Sequence, residues 1–217
     1  MISLLLGCHA LSLSPTRVRA EVRDELLREL PREQPPALPS ARLQSLVDEL
    51  EGLAVPPATS DFLVMGLQGE WSLQLQSGLS ESTELLLPAD RGEPVCIKRV
   101  TQRVEEGKLR STAQFEVPIE GLSGSLEVQA DLYPTTRPDM LHFVSRGHTL
   151  NLERAPNSIA IPGLMNSLLG HLSAEFRAED GVRFGLQITY IDELVRITRC
   201  TTRDFAGFCT VHSRVAR

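Results

Sequence analysis

The stretch Val182-Arg183-Phe184-Gly185-Leu186-Gln187-Ile188-Thr189-Tyr190 sets the fold class of this chain. Val182, Phe184, Leu186, Ile188 and Tyr190 alternate with Arg183, Gly185, Gln187 and Thr189. A period of two places the two sets on opposite faces, so the stretch reads as a half-buried antiparallel strand. The same rhythm runs upstream. Trp71, Leu73 and Leu75 alternate with Ser72, Gln74 and Gln76. Leu109, Ala113, Phe115 and Val117 alternate with Arg110, Thr112, Gln114 and Glu116, and Leu126, Val128, Ala130 and Leu132 with Glu127, Gln129 and Asp131. Weaker strand patterns cover 95–104, 140–145, 148–153, 194–199 and 207–213. Turn residues separate them at Glu106-Gly107, Gly121 to Gly124, Thr136 to Asp139 and Asp180-Gly181. About seven to nine strands in a meander predict a mainly β chain, an antiparallel barrel or curled sheet over 67–214. Closure removes exposed edges. A barrel of about eight strands is either filled with side chains or holds one small ligand, and alternation does not separate the two.

Before the strands the period is helical. Over 20–30, Val22, Leu26, Leu27 and Leu30 share a face opposite Arg23, Asp24, Arg28 and Glu29, and Pro31 stops the helix. Ser40 caps a second helix over 41–51, in which Leu43, Leu46, Val47 and Leu50 form one stripe. Such stripes pack on a parent domain or lie on a lipid surface; the weakly basic polar faces favour packing. Between 159 and 176 the alternation breaks, and Leu164, Leu168 and Leu172 recur at helical spacing after Pro162-Gly163. This predicts a short helix closing one barrel end, either a moving lid or a fixed plug.

A chain of 217 residues with 41% apolar and 23% charged residues can bury a core without disulfides or metal. A net charge of -6 argues against general nucleic-acid binding. No apolar run reaches the length of a bilayer-spanning helix. Residues 1–19 hold no Asp or Glu, begin with an apolar run and include Arg17 and Arg19, as a targeting or disordered segment would. The folded domain is expected over 20–214.

Cys8, Cys96, Cys200 and Cys209 form no CxxC pair. Cys200 and Cys209 could bridge across a hairpin, or join His212 as an incomplete metal set, but isolated core thiols are the favoured reading. His9, His142, His148, His171 and His212 fit no zinc pattern, and no nucleophile elbow, dinucleotide loop or Walker loop is present. Adjacent Asp192 and Glu193 cannot address one substrate without a turn between them. Asp192 reads as a turn residue or as an ion-pair partner for Arg196 or Arg199. The pattern predicts a non-enzyme with no cofactor and no metal. Gln102, Tyr190 and Arg196 are candidate polar contacts for a ligand head group, or polar residues satisfied inside a core. Trp71 is either core at the barrel base or a ligand-stacking ring. With Phe115 and Phe184 they make up the candidate lumen or mouth.

Three motifs resemble the plastid lipid-associated proteins, or fibrillins. A helix over Leu43 to Leu53 precedes Leu67-Gln68-Gly69-Glu70-Trp71-Ser72-Leu73, which carries a GxW pattern. A Gln-centred strand is matched by Val100-Thr101-Gln102-Arg103-Val104. The most specific part is Tyr190-Ile191-Asp192-Glu193-Leu194-Val195-Arg196-Ile197-Thr198-Arg199-Cys200, similar to the family's YLDExLRIxRG. Cys200 replaces the final glycine, and Gln74-Leu75-Gln76-Ser77 replaces the usual Tyr-Thr ending of the first strand. The resemblance implies a lipocalin-like barrel in a chloroplast, peripheral to plastoglobules or thylakoids, with no shared catalytic residues.

Two functions follow from it as expectations. In one the domain binds or organises a hydrophobic plastid lipid or pigment, such as a prenylquinone or carotenoid. In the other it is a structural protein with a filled barrel that coats lipid droplets or stabilises a plastid protein complex. A lined void of about 300 Å³ or more would favour a carrier. Bulky inward side chains or a broad exposed apolar patch would favour the structural protein.

Overall fold

The structure, a computed structural model, describes residues 14–30, 40–77, 95–117, 121–155, 161–172, 174–177, 180–202 and 208–215. The expected targeting segment up to residue 13, the proline-rich connection 31–39 and Gly207 lie outside these. Eight strands form one closed antiparallel barrel in chain order: β1 (Gly69–Ser77), β2 (Cys96–Glu105), β3 (Lys108–Val117), β4 (Leu122–Pro134), β5 (Met140–Arg154), β6 (Arg183–Ile191), β7 (Val195–Cys200) and β8 (Cys209–Arg214). β8 closes the ring on β1, with Trp71 opposite Arg214 and Leu73 opposite His212.

The sequence reading takes 140–145 and 148–153 as two strands, whereas the chain makes one. Gln129 pairs with Gly147 and Ala130 with Ser145, so Arg146 is an extra residue in β5. Gly147 absorbs the distortion with φ of 143°. The bulge breaks the period without ending the strand.

Helix α1 (Pro15–Glu29) begins five residues ahead of the expected start. Ser14 caps it, accepting from the Arg17 amide, and Pro15 occupies the first turn, where its missing N–H costs nothing. Helix α2 (Ala41–Gly52) starts at Ser40 as expected. Leu26, Leu46, Val47 and Leu50 are fully or almost fully buried against Tyr190, Val195, Ile197 and Val211. The α1–α2 pair therefore covers the outer wall of β6–β8 and β1, and its apolar stripes are core.

Helix α3 (Ser60–Leu67) has no counterpart in the sequence reading. Eight residues give little periodicity to detect, although Thr59 caps it by accepting from the Phe62 amide. Leu63 and Leu67 insert into one barrel end beside Val104, Leu109, Leu141, Phe143 and Phe184. The other end is closed by α4 (Ile161–His171) and α5 (Ala174–Arg177), as the spacing of 164, 168 and 172 predicts. Leu164, Leu168, Leu172 and Phe176 pack there on Leu73, Phe115, Leu122 and Leu126. His148 Nε2 donates to the Phe176 carbonyl at 2.8 Å, tying this cap to β5.

Candidate functional site

Between the two apolar ends the lumen carries a polar belt. Arg196 and Thr198 on β7, Thr210 and His212 on β8, Gln102 on β2 and Ser111 on β3 are all buried. The register sets them side by side. Arg196 lies opposite His212, Thr198 opposite Thr210, and Gln102 opposite Ser111. In β7 and β8 the usual pattern is inverted. Val195, Ile197, Cys209 and Val211 face outward into the α1–α2 layer, which leaves the polar set facing in.

Trp71, Gln102 and Arg196, three of the sequence candidates, converge here. The Arg196 guanidinium donates through Nη2 to Gln102 Oε1 and lies 5.0 Å from the Trp71 ring centroid. Trp71 is completely buried and donates from Nε1 to the Leu67 carbonyl at 2.9 Å. Its indole therefore joins β1 to the end of α3. Phe115 and Phe184 are buried in the lumen but lie in opposite apolar ends, Phe184 against Phe143 at a centroid distance of 4.5 Å.

Tyr190 is turned away from the lumen, against the expectation from its alternation. Ile188 pairs with Thr198, but Tyr190 pairs with Ile197, so Thr189 is a bulged residue. One extra residue moves everything beyond it to the other face. Tyr190 packs in the outer layer and donates to Asp192 Oδ2 at 2.7 Å. Burial and this contact push its phenol above the usual range. The same event in β1 leaves Gln74 unpaired between Leu73 and Leu75. Leu75 joins the outer layer, and Gln76 takes the position opposite Thr210.

Asp192 is a turn residue, as one reading has it. Its Oδ1 accepts from the amides of Leu194 at 2.8 Å and Val195 at 2.7 Å. Its ionic partner is Arg23 at 3.3 Å, not Arg196 or Arg199, and Glu193 reaches the same guanidinium at 2.6 Å. The turn thus aims both carboxylates at helix α1. Arg199 instead grips Glu51 of α2 at 2.6 and 2.7 Å. Cys200 faces the lumen and Cys209 the outer layer, so no bridge joins them. Burial pushes the Cys209 thiol up to about 11. Among the described residues no three His, Cys, Asp or Glu side chains gather as a metal site.

His212 is the residue sequence reasoning missed as part of the lumen. It is 1% exposed, and neither ring nitrogen has a hydrogen-bond partner among the described residues. The hydroxyls of Thr198 and Ser111 share that condition. Burial, reinforced by the Arg196 charge, holds the imidazole well below its ordinary pKa, so the ring is neutral. A neutral imidazole has one N–H to donate and one nitrogen to accept. The detectable signal was the polar pairs at 196 and 198 and at 210 and 212, each on one face of a strand.

A cavity of about 30 Å³ touches His212, Thr198 and Thr210 on its polar side and Leu67, Leu109, Leu141 and Phe208 on its apolar side. That is room for one or two waters. Among the described residues, Trp71, Leu126, Leu141 and Phe143 are fully buried within the barrel. A groove of about 270 Å³ lies outside the barrel beside Glu51 and Arg199. Its polar groups are engaged with one another: Thr189 donates to Glu51 at 2.5 Å and Gln187 to Asp139 at 2.8 Å. No family model matches the chain, and no curated protein matches it.

Proposed function

We propose that this chain is a non-enzymatic plastid protein of the lipid-associated kind, whose filled barrel organises an apolar lipid surface from outside. The observation that carries this reading is the small size of the cavity beside His212. A cavity of about 30 Å³ is about a tenth of the smallest usual ligand pocket. The apolar stripes of α1 and α2 are spent on the barrel wall, and both barrel ends are closed by helices. The three motifs that resemble plastid lipid-associated proteins support the compartment and the lipid partner.

The carrier reading keeps one supporting observation. His212, Thr198 and Ser111 offer buried polar atoms without partners, and an amphipathic ligand with an oxygen-bearing head would satisfy them. One or two bound waters would do the same within the space present.

The test is flotation of the full chain with triolein droplets coated in phosphatidylcholine. The surface reading predicts that the protein rises with the droplets. Recovery of all the protein from the bottom of the gradient would reject it.

A further inference from the structure

The reading as a lipid-surface protein leaves open which face meets the lipid. We infer that the outer face of α3, through Phe62 and Met65, inserts into a lipid surface of zwitterionic or uncharged head groups; this rests on the reading above.

Phe62 is 63% exposed and Met65 69% exposed, and both belong to the large apolar side chains left open on the surface. Their spacing of three places them one turn apart on the same helix face. The opposite face of α3, Leu63 and Leu67, is buried in the barrel end. The outer face therefore carries two large apolar side chains next to the exposed Asp61 of the first turn, and a helix serving only as a plug does not need them.

Its position is fixed at each end. Ser60 Oγ donates to the Thr135 carbonyl at 3.1 Å. The Leu67 carbonyl accepts from Trp71, and Arg214 donates to the Gly66 and Gln68 carbonyls at 2.8 and 2.6 Å. The exposed pair is thus held out from the end of the barrel rather than free to fold inward. Gly66 packs on Ile191, which lines the neighbouring groove together with Val55, itself 70% exposed.

Area and charge select the occupant. Two or three side chains offer a few hundred Å² at most, against about 800 Å² per partner in a stable protein interface. A lipid surface sets no such minimum, since each inserted side chain gains by leaving water. The turns flanking α3 carry charges of both signs, two pairs of them joined as ion pairs, and α3 itself carries the exposed Asp61. Arg103 meets Glu105 at 2.6 Å on the side where Gln68 holds the β2–β3 turn, and Arg137 meets Asp139 at 2.7 Å near Thr135. Counted by type, Arg103, Lys108 and Arg137 stand against Asp61, Glu105, Glu106 and Asp139, so there is no excess of positive charge to attract anionic lipid, and apolar insertion is the driving term.

The experiment compares the full chain with F62D/M65Q by flotation on phosphatidylcholine vesicles at low and high salt. Asp at position 62 sits in the first turn of α3, where a negative charge favours the helix, so the variant keeps its fold; a melting curve checks this. The expected result is salt-independent flotation of the parent and a loss of about tenfold or more in the variant. A second chain, Phe62→Trp, should be quenched by brominated phosphatidylcholine, while the parent, whose only tryptophan is the buried Trp71, is not. If parent and variant float equally, this face is the wrong one although the surface reading stands. If neither floats, the inference fails, and the surface reading fails with it only if the parent also stays at the bottom of the triolein-droplet gradient. If the parent stays in solution as a dimer that F62D/M65Q splits, the occupant is a second copy and the inference is overturned.

Discussion

The Arg214 guanidinium lies 4.2 Å from the Trp71 ring centroid and donates to three carbonyls, of Gly66, Gln68 and Glu193. One side chain near the end of the chain thus fastens α3, the start of β1 and the β6–β7 turn. The glycine of the GxW pattern is explained by the same contact. Gly69 has φ of 114°, and a Cβ there would stand 2.7 Å from Arg214 Nη1. Gly69→Ala should cost about 2 kcal/mol or more, from backbone strain and displaced arginine together. Arg214→Ala should cost a similar amount, because hydrogen bonds to a charged donor contribute about 1.5–3 kcal/mol. Chemical denaturation of both variants and their double mutant measures this. Additive losses would mean that the glycine and the arginine act independently, contrary to the geometry.

The lumen predicts a pH response. His212 is neutral when folded, with its pKa well below the ordinary 6.5, while the unfolded chain protonates it near that value. The unfolded state therefore binds more protons, and stability falls as pH drops below about 6.5. The slope from one group is at most about 1.4 kcal/mol per pH unit. His212→Phe should remove this part of the acid sensitivity, leaving a flatter profile between pH 6.5 and 5. Identical slopes in thermal melts of parent and variant would show that His212 is not held neutral.

Cys209 gives the opposite sign at alkaline pH. Its thiol stays protonated to about 11 in the fold, against an ordinary value of 9.0. Between those values the folded chain binds more protons, so stability declines as pH rises through that window. Cys209→Ala should flatten the decline. The same burial predicts slow alkylation of Cys209 by iodoacetamide at pH 8, since the thiolate is the reactive form. Rapid labelling of the native chain would contradict this placement.

Helix α2 is assigned to the core. Leu46 is 1% exposed between the barrel wall and α1, so Leu46→Ala should cost about 2–5 kcal/mol and lower the melting temperature sharply. An unchanged melt combined with weaker vesicle flotation would instead make α2 a lipid contact.

Much of the barrel was legible because most of its strands keep a strict period of two. β3 and β4 pair without interruption from Lys108–Asp131 to Val117–Leu122, and their alternation maps directly onto inside and outside. The misplaced faces and the split strand are local and share one cause. A single extra residue at Gln74, Arg146 or Thr189 reverses the faces or breaks the rhythm, yet changes nothing that composition can register. Tyr190 was placed in the lumen for that reason. Trp71, Gln102 and Arg196 were found as site candidates because they are unusual residue types within apolar strands. His212 was weighed only as a metal ligand, since its lumen position depends on α1 and α2 covering the other face of β8. Helix α3 was missed because eight residues are too few for a 3.6-residue period to stand out.

The central claim is that the barrel is filled and carries no lipid of its own. Native mass spectrometry of the full chain, purified from the cells that make it and followed by organic extraction, tests it most directly. A filled barrel predicts a chain with no stoichiometric prenylquinone, carotenoid or other lipid, and at most water in the space beside His212. One lipid retained per chain would contradict it and turn the polar belt of Gln102, Arg196 and His212 into a ligand site.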